Sequence, residues 1–177
     1  MTLKAEAITH YTFTAADSLL LDTNIWLLIY GPQRPGDQRV AVYSQALTQI
    51  LAARSRIFID VLIVSEFINT YARLQWKLLF PTSTDFKQFR QSSHFQPIAQ
   101  AIAADMKRVL RHCTRIANGF ELLAVDTLLN TYAAGNSDFN DQVLAVLCQN
   151  AGLKLITDDA DFGGQDVPII TNNRRLL

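Results

Sequence analysis

One stretch constrains the fold more than any other, namely residues 19–28, which read LLLDTNIWLL. Three leucines followed by Asp22 predict a buried strand that carries a carboxylate at its C-terminal end. Ligands of open parallel sheets bind outside the carboxyl ends of the strands, so Asp22 stands where an α/β fold places its chemistry. The local alternative is that Asp22 or Asn24 only caps the following helix. The stretch alone does not separate these two interpretations.

Short apolar runs of strand length recur along the chain. They cover residues 57–59, 120–125, 153–157 and 167–171. Amphipathic patterns predict helices between them, which favours an α/β fold with a mostly parallel sheet of about five strands and helices on both faces. The length of 177 residues suits a single domain spanning residues 1–177. Residues 1–17 show no clear periodicity, so a tail and an added edge element both stay open.

The middle of the chain is predicted to be helical. Between residues 82 and 118 we expect one helix starting near Thr84 and a second after Pro97. We place Arg108, Arg111 and Arg115 on neighbouring turns of the second helix. This basic stripe is a candidate for contacting phosphates, although a solvated face is the commoner outcome for such a cluster.

The charge distribution bears on the partner more than the net charge does. Sixteen Lys and Arg balance sixteen Asp and Glu, which at first argues against a nucleic-acid partner. Ten of the sixteen bases lie between Arg54 and Arg115, whereas six acids lie between Asp138 and Asp166, where Lys154 is the only base. Such a polarised chain can bind a polyanion once cations fill its acidic pocket.

Two observations indicate the compartment. Cys113 and Cys148 fall in apolar patterns that we assign to helices, without metal-ligand spacing, so we expect reduced thiols in a reducing compartment. The N-terminus lacks a secretory signal, and the apolar run of residues 19–30 is too short to span a bilayer and contains Asp22. We therefore expect a cytoplasmic protein with no membrane contact.

Further acids follow or precede the predicted strands. Glu66 opens the helix after the second strand, Asp141 opens the helix before the fourth, and Asp158 and Asp159 follow the fourth. Each has a local explanation as a helix cap or a first-turn residue that favours the helix dipole. A parallel sheet can nevertheless bring them to the rim that holds Asp22, where carboxylates repel unless cations intervene. Oxygen-only ligands suit Mg²⁺ or Mn²⁺ rather than Zn²⁺.

Four segments resemble the acidic motifs of PIN-domain ribonucleases in order and context. They read LLLDTNIWLL, VSEFINTY, SDFNDQVLAVLCQNAGLKLIT and DDADF. The similarity extends over residues 19–171, although residues 73–118 carry no family motif. By this match the catalytic, metal-binding acids are Asp22, Glu66, Asp141 and Asp159.

The resemblance also suggests supporting residues. Asp138 and Asp158 become accessory acids, and the match leaves open whether Asp158 exchanges roles with Asp159. Thr23, Asn24 and Thr157 match polar positions that support the site in this family.

The resemblance implies a three-layer PIN-like fold and metal-dependent hydrolysis of RNA. One or two Mg²⁺ or Mn²⁺ ions held by the acids would orient and deprotonate a water and neutralise the leaving oxygen. A member of this size is similar to the toxin of a VapC-type, type II toxin–antitoxin pair, which implies an antitoxin partner and a homodimer. The alternatives are a catalytically silent PIN fold that binds RNA or protein, and a DNA nuclease.

Overall fold

The computed structural model describes residues 5–82, 85–117, 119–135 and 137–177. Within these ranges six strands form one sheet in the order β1-β6-β5-β2-β3-β4, and every neighbouring pair is parallel. The strands are β1 Glu6–Ala7, β2 Ser18–Leu21, β3 Arg56–Ile59, β4 Cys113–Arg115, β5 Lys154–Ile156 and β6 Ile169–Thr171. The predicted helix start near Thr84 lies outside the described residues.

Helices connect these strands. They are α1 Thr23–Tyr30, α2 Gln38–Ala52, α3 Val61–Leu79, α4 Phe86–Gln91, α5 Phe95–Leu110, α6 Val125–Ala133 and α7 Phe139–Ala151, with short 3-10 helices at Phe120–Leu122 and Ala160–Gly164. Several begin after an aspartate whose side chain accepts a backbone N–H of the first turn, as at Asp37, Asp60 and Asp138. Helix α7 ends at Gly152, whose φ of 63° suits glycine.

The order of the strands fixes where ligands can bind. From β2 the chain proceeds to β3 and β4 on one side of the sheet, and then returns to β5 and β6 on the other side. The strand order therefore reverses between β2 and β5, which makes the crevice beyond their carboxyl ends a topological switch point. Leu19, Leu20 and Leu21 of β2 are at most 1% exposed, so this central strand is held firmly by the core.

The prediction of a strand at residues 120–125 is wrong. These residues form a 3-10 helix and the start of α6, and Phe120 and Leu122 are 61% and 78% exposed rather than buried in a sheet. The outer position beside β3 is taken by β4, with Ile57 opposite Cys113. A strand of three residues has too little length to show an alternating pattern.

The assignment of β4 corrects two further predictions. Helix α5 ends at Leu110, so Cys113 and Arg115 lie on a strand and not on a helix. Arg115 therefore does not share a helical face with Arg108 and Arg111. Both cysteines are free thiols.

The N-terminal residues add an edge to the sheet. Strand β1 runs parallel to β6, with Glu6 opposite Ile170, and Ile8 beyond it is only 2% exposed. The described part of residues 1–17 thus follows the edge-element alternative. Among the described residues, none of the helices has the length and hydropathy that a membrane span requires.

Candidate functional site

Asp22 lies at the carboxyl end of β2, at the switch point, and is 5% exposed. Its Oδ1 accepts the backbone N–H of Thr23 at 2.6 Å, so the capping interpretation is correct. Its Oδ2 accepts hydrogen bonds from Thr157 Oγ1 at 2.7 Å and from Asn24 Nδ2 at 2.5 Å. These bonds hold the carboxylate in one orientation at the rim, so the capping role and a site role are compatible.

Two polar residues join the ends of β2 and β5. Thr157, which is fully buried, accepts Asn24 Nδ2 at 3.1 Å and the backbone N–H of Asp159 at 3.0 Å. Asn24 Oδ1 accepts the backbone N–H of Asp158 at 3.2 Å. The predicted supporting residues are thus brought together, and they tie the loop after β5 to the start of α1.

Glu66 reaches the same rim from the second turn of α3. Its Oε2 accepts Thr23 Oγ1 at 3.2 Å, across 43 positions of the chain. Since Thr23 also donates its backbone N–H to Asp22, one residue contacts both carboxylates. Glu66 therefore lies beside Asp22, as the sequence predicts.

Asp158 and Asp159 point to different partners. Asp158 accepts Tyr43 Oη at 2.8 Å and Arg39 Nη1 at 2.9 Å, both from α2, so its charge is paired. Asp159 accepts the backbone N–H of Asp161 at 3.0 Å and makes no ion pair with the described residues. Its charge acts on the carboxyl groups of Asp22, Glu66 and Asp141. This geometry favours Asp159 as the site acid over Asp158.

Burial and mutual repulsion raise the pKa of three of these carboxyl groups. Burial raises the pKa of Asp22 to about 6, and the charges of Glu66 and Asp159 add to the effect. Burial raises the pKa of Asp141 to about 7, with further contributions from Asp22, Asp138, Asp159 and Glu66. Burial also raises the pKa of Glu66, and Asp138 and Asp159 add to it. The acids are therefore close enough to destabilise one another's charged forms.

Within residues 5–82, 85–117, 119–135 and 137–177, no basic side chain offsets this charge. The name acidic centre is used below for Asp22, Glu66, Asp138, Asp141 and Asp159. The ion pairs of the described residues involve other acids, namely Asp17, Asp37, Asp105 and Asp158. An all-oxygen donor set with uncompensated charge fits Mg²⁺ or Mn²⁺ in chemistry and in charge.

The acidic centre is not yet arranged as a coordination sphere. In the described part of the chain, no three His, Cys, Asp or Glu side chains form a group that could hold a metal ion as they stand. That Asp22, Glu66, Asp141 and Asp159 bind one ion together therefore stays a prediction.

The predicted basic stripe is only partly realised. Arg108 lies over the ring of Tyr30 at 4.7 Å and pairs with Asp105 at 3.2 Å, so its charge is already engaged. Arg111 caps the C-terminal end of α5 and is exposed, and Arg115 lies on β4. Of the three, Arg111 is thus the one that is exposed at the end of α5 and makes no ion pair with the described residues.

Sequence reasoning missed the pocket beside the acidic centre. A cavity of about 540 Å³ is lined by Asn24 and Asp159 on one side and includes Arg34, Arg39 and Arg175. Arg34 lies in a Gly- and Pro-rich loop and Arg175 in a C-terminal segment that reads as a tail. Loops at the carboxyl ends of strands commonly carry function, so the positions of these segments after predicted elements could have indicated the pocket.

The PIN domain family model matches residues 19–167, which is most of the chain. The chain belongs to the PIN-domain family. PIN domains are generally nucleases and generally use divalent metals. In this PIN domain the four motif acids lie at the switch point between β2 and β5.

The fold is also found in a solved structure. It is the crystal structure of VapBC2 from Rickettsia felis bound to a DNA fragment from their promoter, in which the matching chain is 14% identical to this PIN domain, with a TM-score of 0.54. The match covers 87% of this chain and 98% of that chain. At this identity the similarity establishes the fold. No curated protein is significantly similar to the chain in sequence.

Proposed function

We propose that this PIN-domain protein is a metal-dependent endoribonuclease that hydrolyses RNA phosphodiester bonds. The observation that carries the proposal is that carboxylates from four distant segments lie near one another at the switch point and make no ion pair with a basic side chain among the described residues. These are Asp22, Glu66, Asp141 and Asp159. Membership of a family of nucleases supports the same chemistry.

The four acids would hold one or two Mg²⁺ or Mn²⁺ ions. A bound ion supplies Lewis acidity, since it lowers the pKa of a water and neutralises charge on the phosphoryl oxygens. Asp22 is oriented for this by Thr157 and Asn24, and Glu66 by Thr23. Asp138 caps α7 and adds negative charge near Glu66 and Asp141, which is the role of an accessory acid.

The test uses purified protein, fluorescent single-stranded RNA and Mn²⁺. Asp22→Asn and Asp141→Asn should each lower cleavage by at least about 100-fold while circular dichroism stays unchanged, because each removes a charged ligand. Asp166→Asn is the matched control, since Asp166 is exposed and lies outside the acidic centre. EDTA should stop the reaction. Undiminished cleavage by Asp22→Asn or Asp141→Asn would remove the assignment.

We further propose that the protein is the cytoplasmic toxin of a type II toxin–antitoxin pair and forms a homodimer. The similarity in fold to a chain of the VapBC2 complex supports the pairing with an antitoxin. Expression should arrest growth, and co-expression of the protein encoded beside it should restore growth and yield a stable complex on gel filtration. Normal growth after expression of active nuclease would contradict the toxin role.

A catalytically silent RNA- or protein-binding module is the second candidate. It is favoured by the lack of a ready metal-holding group in the described chain. The same assay separates the two functions, because a silent module would bind the labelled RNA in Mn²⁺ without cutting it. A DNA strand of the same sequence tests the DNA-nuclease alternative.

A further inference from the structure

The cavity beside the acidic centre, here called the rim pocket, has a volume of about 540 Å³. It lies between the C-terminal half of α1, the loop of residues 31–37, the start of the 3-10 helix at residues 160–164 and the C-terminal segment 173–175. Asn24 and Asp159 line the pocket, and both also contact or influence Asp22. A molecule in the rim pocket therefore lies directly beside the acidic centre.

The lining of the rim pocket suits a planar ring with polar edges. Leu27, Leu28 and Leu74 supply an apolar surface, and the amides of Gln33 and Asn173 lie beside it, held by hydrogen bonds to backbone atoms. Asn173 is fixed in place, because its Nδ2 donates to the backbone oxygen of Asp158 at 2.7 Å. The volume falls in the range of small-ligand sites, which is enough for a single nucleobase with its sugar.

The rim pocket carries basic side chains beside its acids, since Arg34, Arg39 and Arg175 line it together with Asp37, Asp158, Asp159 and Asp161. Arg39 is paired with Asp37 at 2.6 Å and with Asp158 at 2.9 Å. Arg34 and Arg175 line the same pocket, are exposed, and make no ion pair with any of the described residues. Guanidinium groups bind phosphate oxygens with two parallel hydrogen bonds, so these two are suited to a phosphodiester.

We propose that the rim pocket binds one nucleotide of the RNA strand, next to the bond that is cut. The base lies on the leucines, and Arg34 and Arg175 contact the adjoining phosphate. This inference rests on the proposed function and adds to it the path of the substrate and the residues that select its base. Arg34 and Arg175 act in binding and position the strand against the acidic centre.

The first test measures binding apart from cleavage. Fluorescence anisotropy of a labelled single-stranded RNA of about ten nucleotides is recorded in EDTA at several salt concentrations. The Arg34→Gln, Arg175→Gln double variant should bind about 10-fold more weakly, and the slope of log K against log salt should fall by about 1. Arg174→Gln is the matched control, because Arg174 is an exposed neighbour that does not line the pocket. Binding within twofold of this control, with the same slope, would overturn the proposal.

A second variant tests the base site without changing charge. Val40 lines the rim pocket from the first turn of α2, so Val40→Trp fills it. The variant should lose the wild-type preference among poly-A, poly-C and poly-U, with an unchanged melting temperature. An intact preference would overturn the assignment of the pocket to a base. Since both arginines are exposed, the arginine result stands even if Val40→Trp does not fold.

The outcomes separate this inference from the proposed function. If cleavage requires Asp22 and the arginine double variant cleaves RNA with an unchanged KM, only the rim-pocket proposal is overturned. Binding that depends on the pocket, without cleavage in Mn²⁺, would overturn the nuclease and retain the pocket. If the double variant keeps RNA binding but loses its complex with the protein encoded beside it, the pocket is a site for that partner, and the proposal fails.

Discussion

Replacing Asp141 by Asn should stabilise the protein in the absence of metal. Asp141 is half-buried in the first turn of α7, and burial together with the neighbouring acids raises its pKa to about 7. The ordinary pKa of an aspartate is about 3.9, so a shift of this size corresponds to about 4 kcal/mol of destabilisation once the group is charged. Solvent screening at a half-exposed carboxyl reduces this to about 1–2 kcal/mol.

The pH dependence follows from the direction of the shift. A carboxyl group whose pKa is raised by folding binds its proton more tightly in the folded state, so wild-type stability falls as the pH rises from about 4 to about 7. The Asn variant does not lose this contribution. Its melting temperature in EDTA at pH 8 should exceed that of the wild type by roughly 2–8 °C, and the gap should shrink towards pH 4.

Added Mn²⁺ should reverse the order. A ligand at 100 times its Kd stabilises the folded protein by about 2.7 kcal/mol. Because Asp141→Asn removes one of the proposed ligands, the variant should gain less from Mn²⁺ than the wild type. Differential scanning fluorimetry of wild type, Asp141→Asn and the Asp166→Asn control, with EDTA or with Mn²⁺, provides the measurement. A lower melting temperature for Asp141→Asn in EDTA at pH 8 would show that the acids do not repel one another, and the account of the acidic centre would be wrong.

Three further predictions concern other parts of the molecule. Burial alone would raise the pKa of Asp17, but hydrogen bonds, chiefly from Lys154, lower it to about 2. The ionised carboxylate therefore stabilises the folded state above about pH 4, and this stabilisation is lost towards pH 2. In urea unfolding, Asp17→Asn should lower the free energy of unfolding by about 1–2 kcal/mol at pH 7 and by little at pH 2. Tyr43→Phe removes the hydrogen bond to Asp158, so it should lower the free energy of unfolding by about 1 kcal/mol and slow cleavage. A variant as stable as the wild type would contradict this prediction. Arg111→Glu should weaken RNA binding and reduce its salt dependence, and an unchanged slope would leave α5 as solvated surface.

Local patterns account for the elements that were predicted correctly. The leucines of β2 form a continuous apolar run because a central parallel strand is buried on both faces. Asp37 and Asp138 are followed by amphipathic periodicity, and each caps the helix that follows it. The identity of the motif acids also came from such short segments, by resemblance to the family.

The errors lie where pairing with distant residues decides the structure. Strands β1 and β4 contain two and three residues and exist because β6 and β3 offer unpaired edges. The apolar run at residues 120–125 has the composition of a strand, yet no free edge accepts it in the described sheet. Propensity is a weak signal for elements this short.

By itself, the sequence determined a parallel α/β sheet, the capped helices and the acids at the ends of strands, because these depend on patterns within a few residues. Only the tertiary structure distinguishes the surroundings of Asp158 and Asp159, since Tyr43 and Arg39 of α2 form hydrogen bonds with Asp158. It also decided that Arg34 and Arg175 share a pocket with Asp159. Arg34 is more than 100 positions from Asp159, as Arg39 and Tyr43 are from Asp158, and no local pattern encodes such proximity.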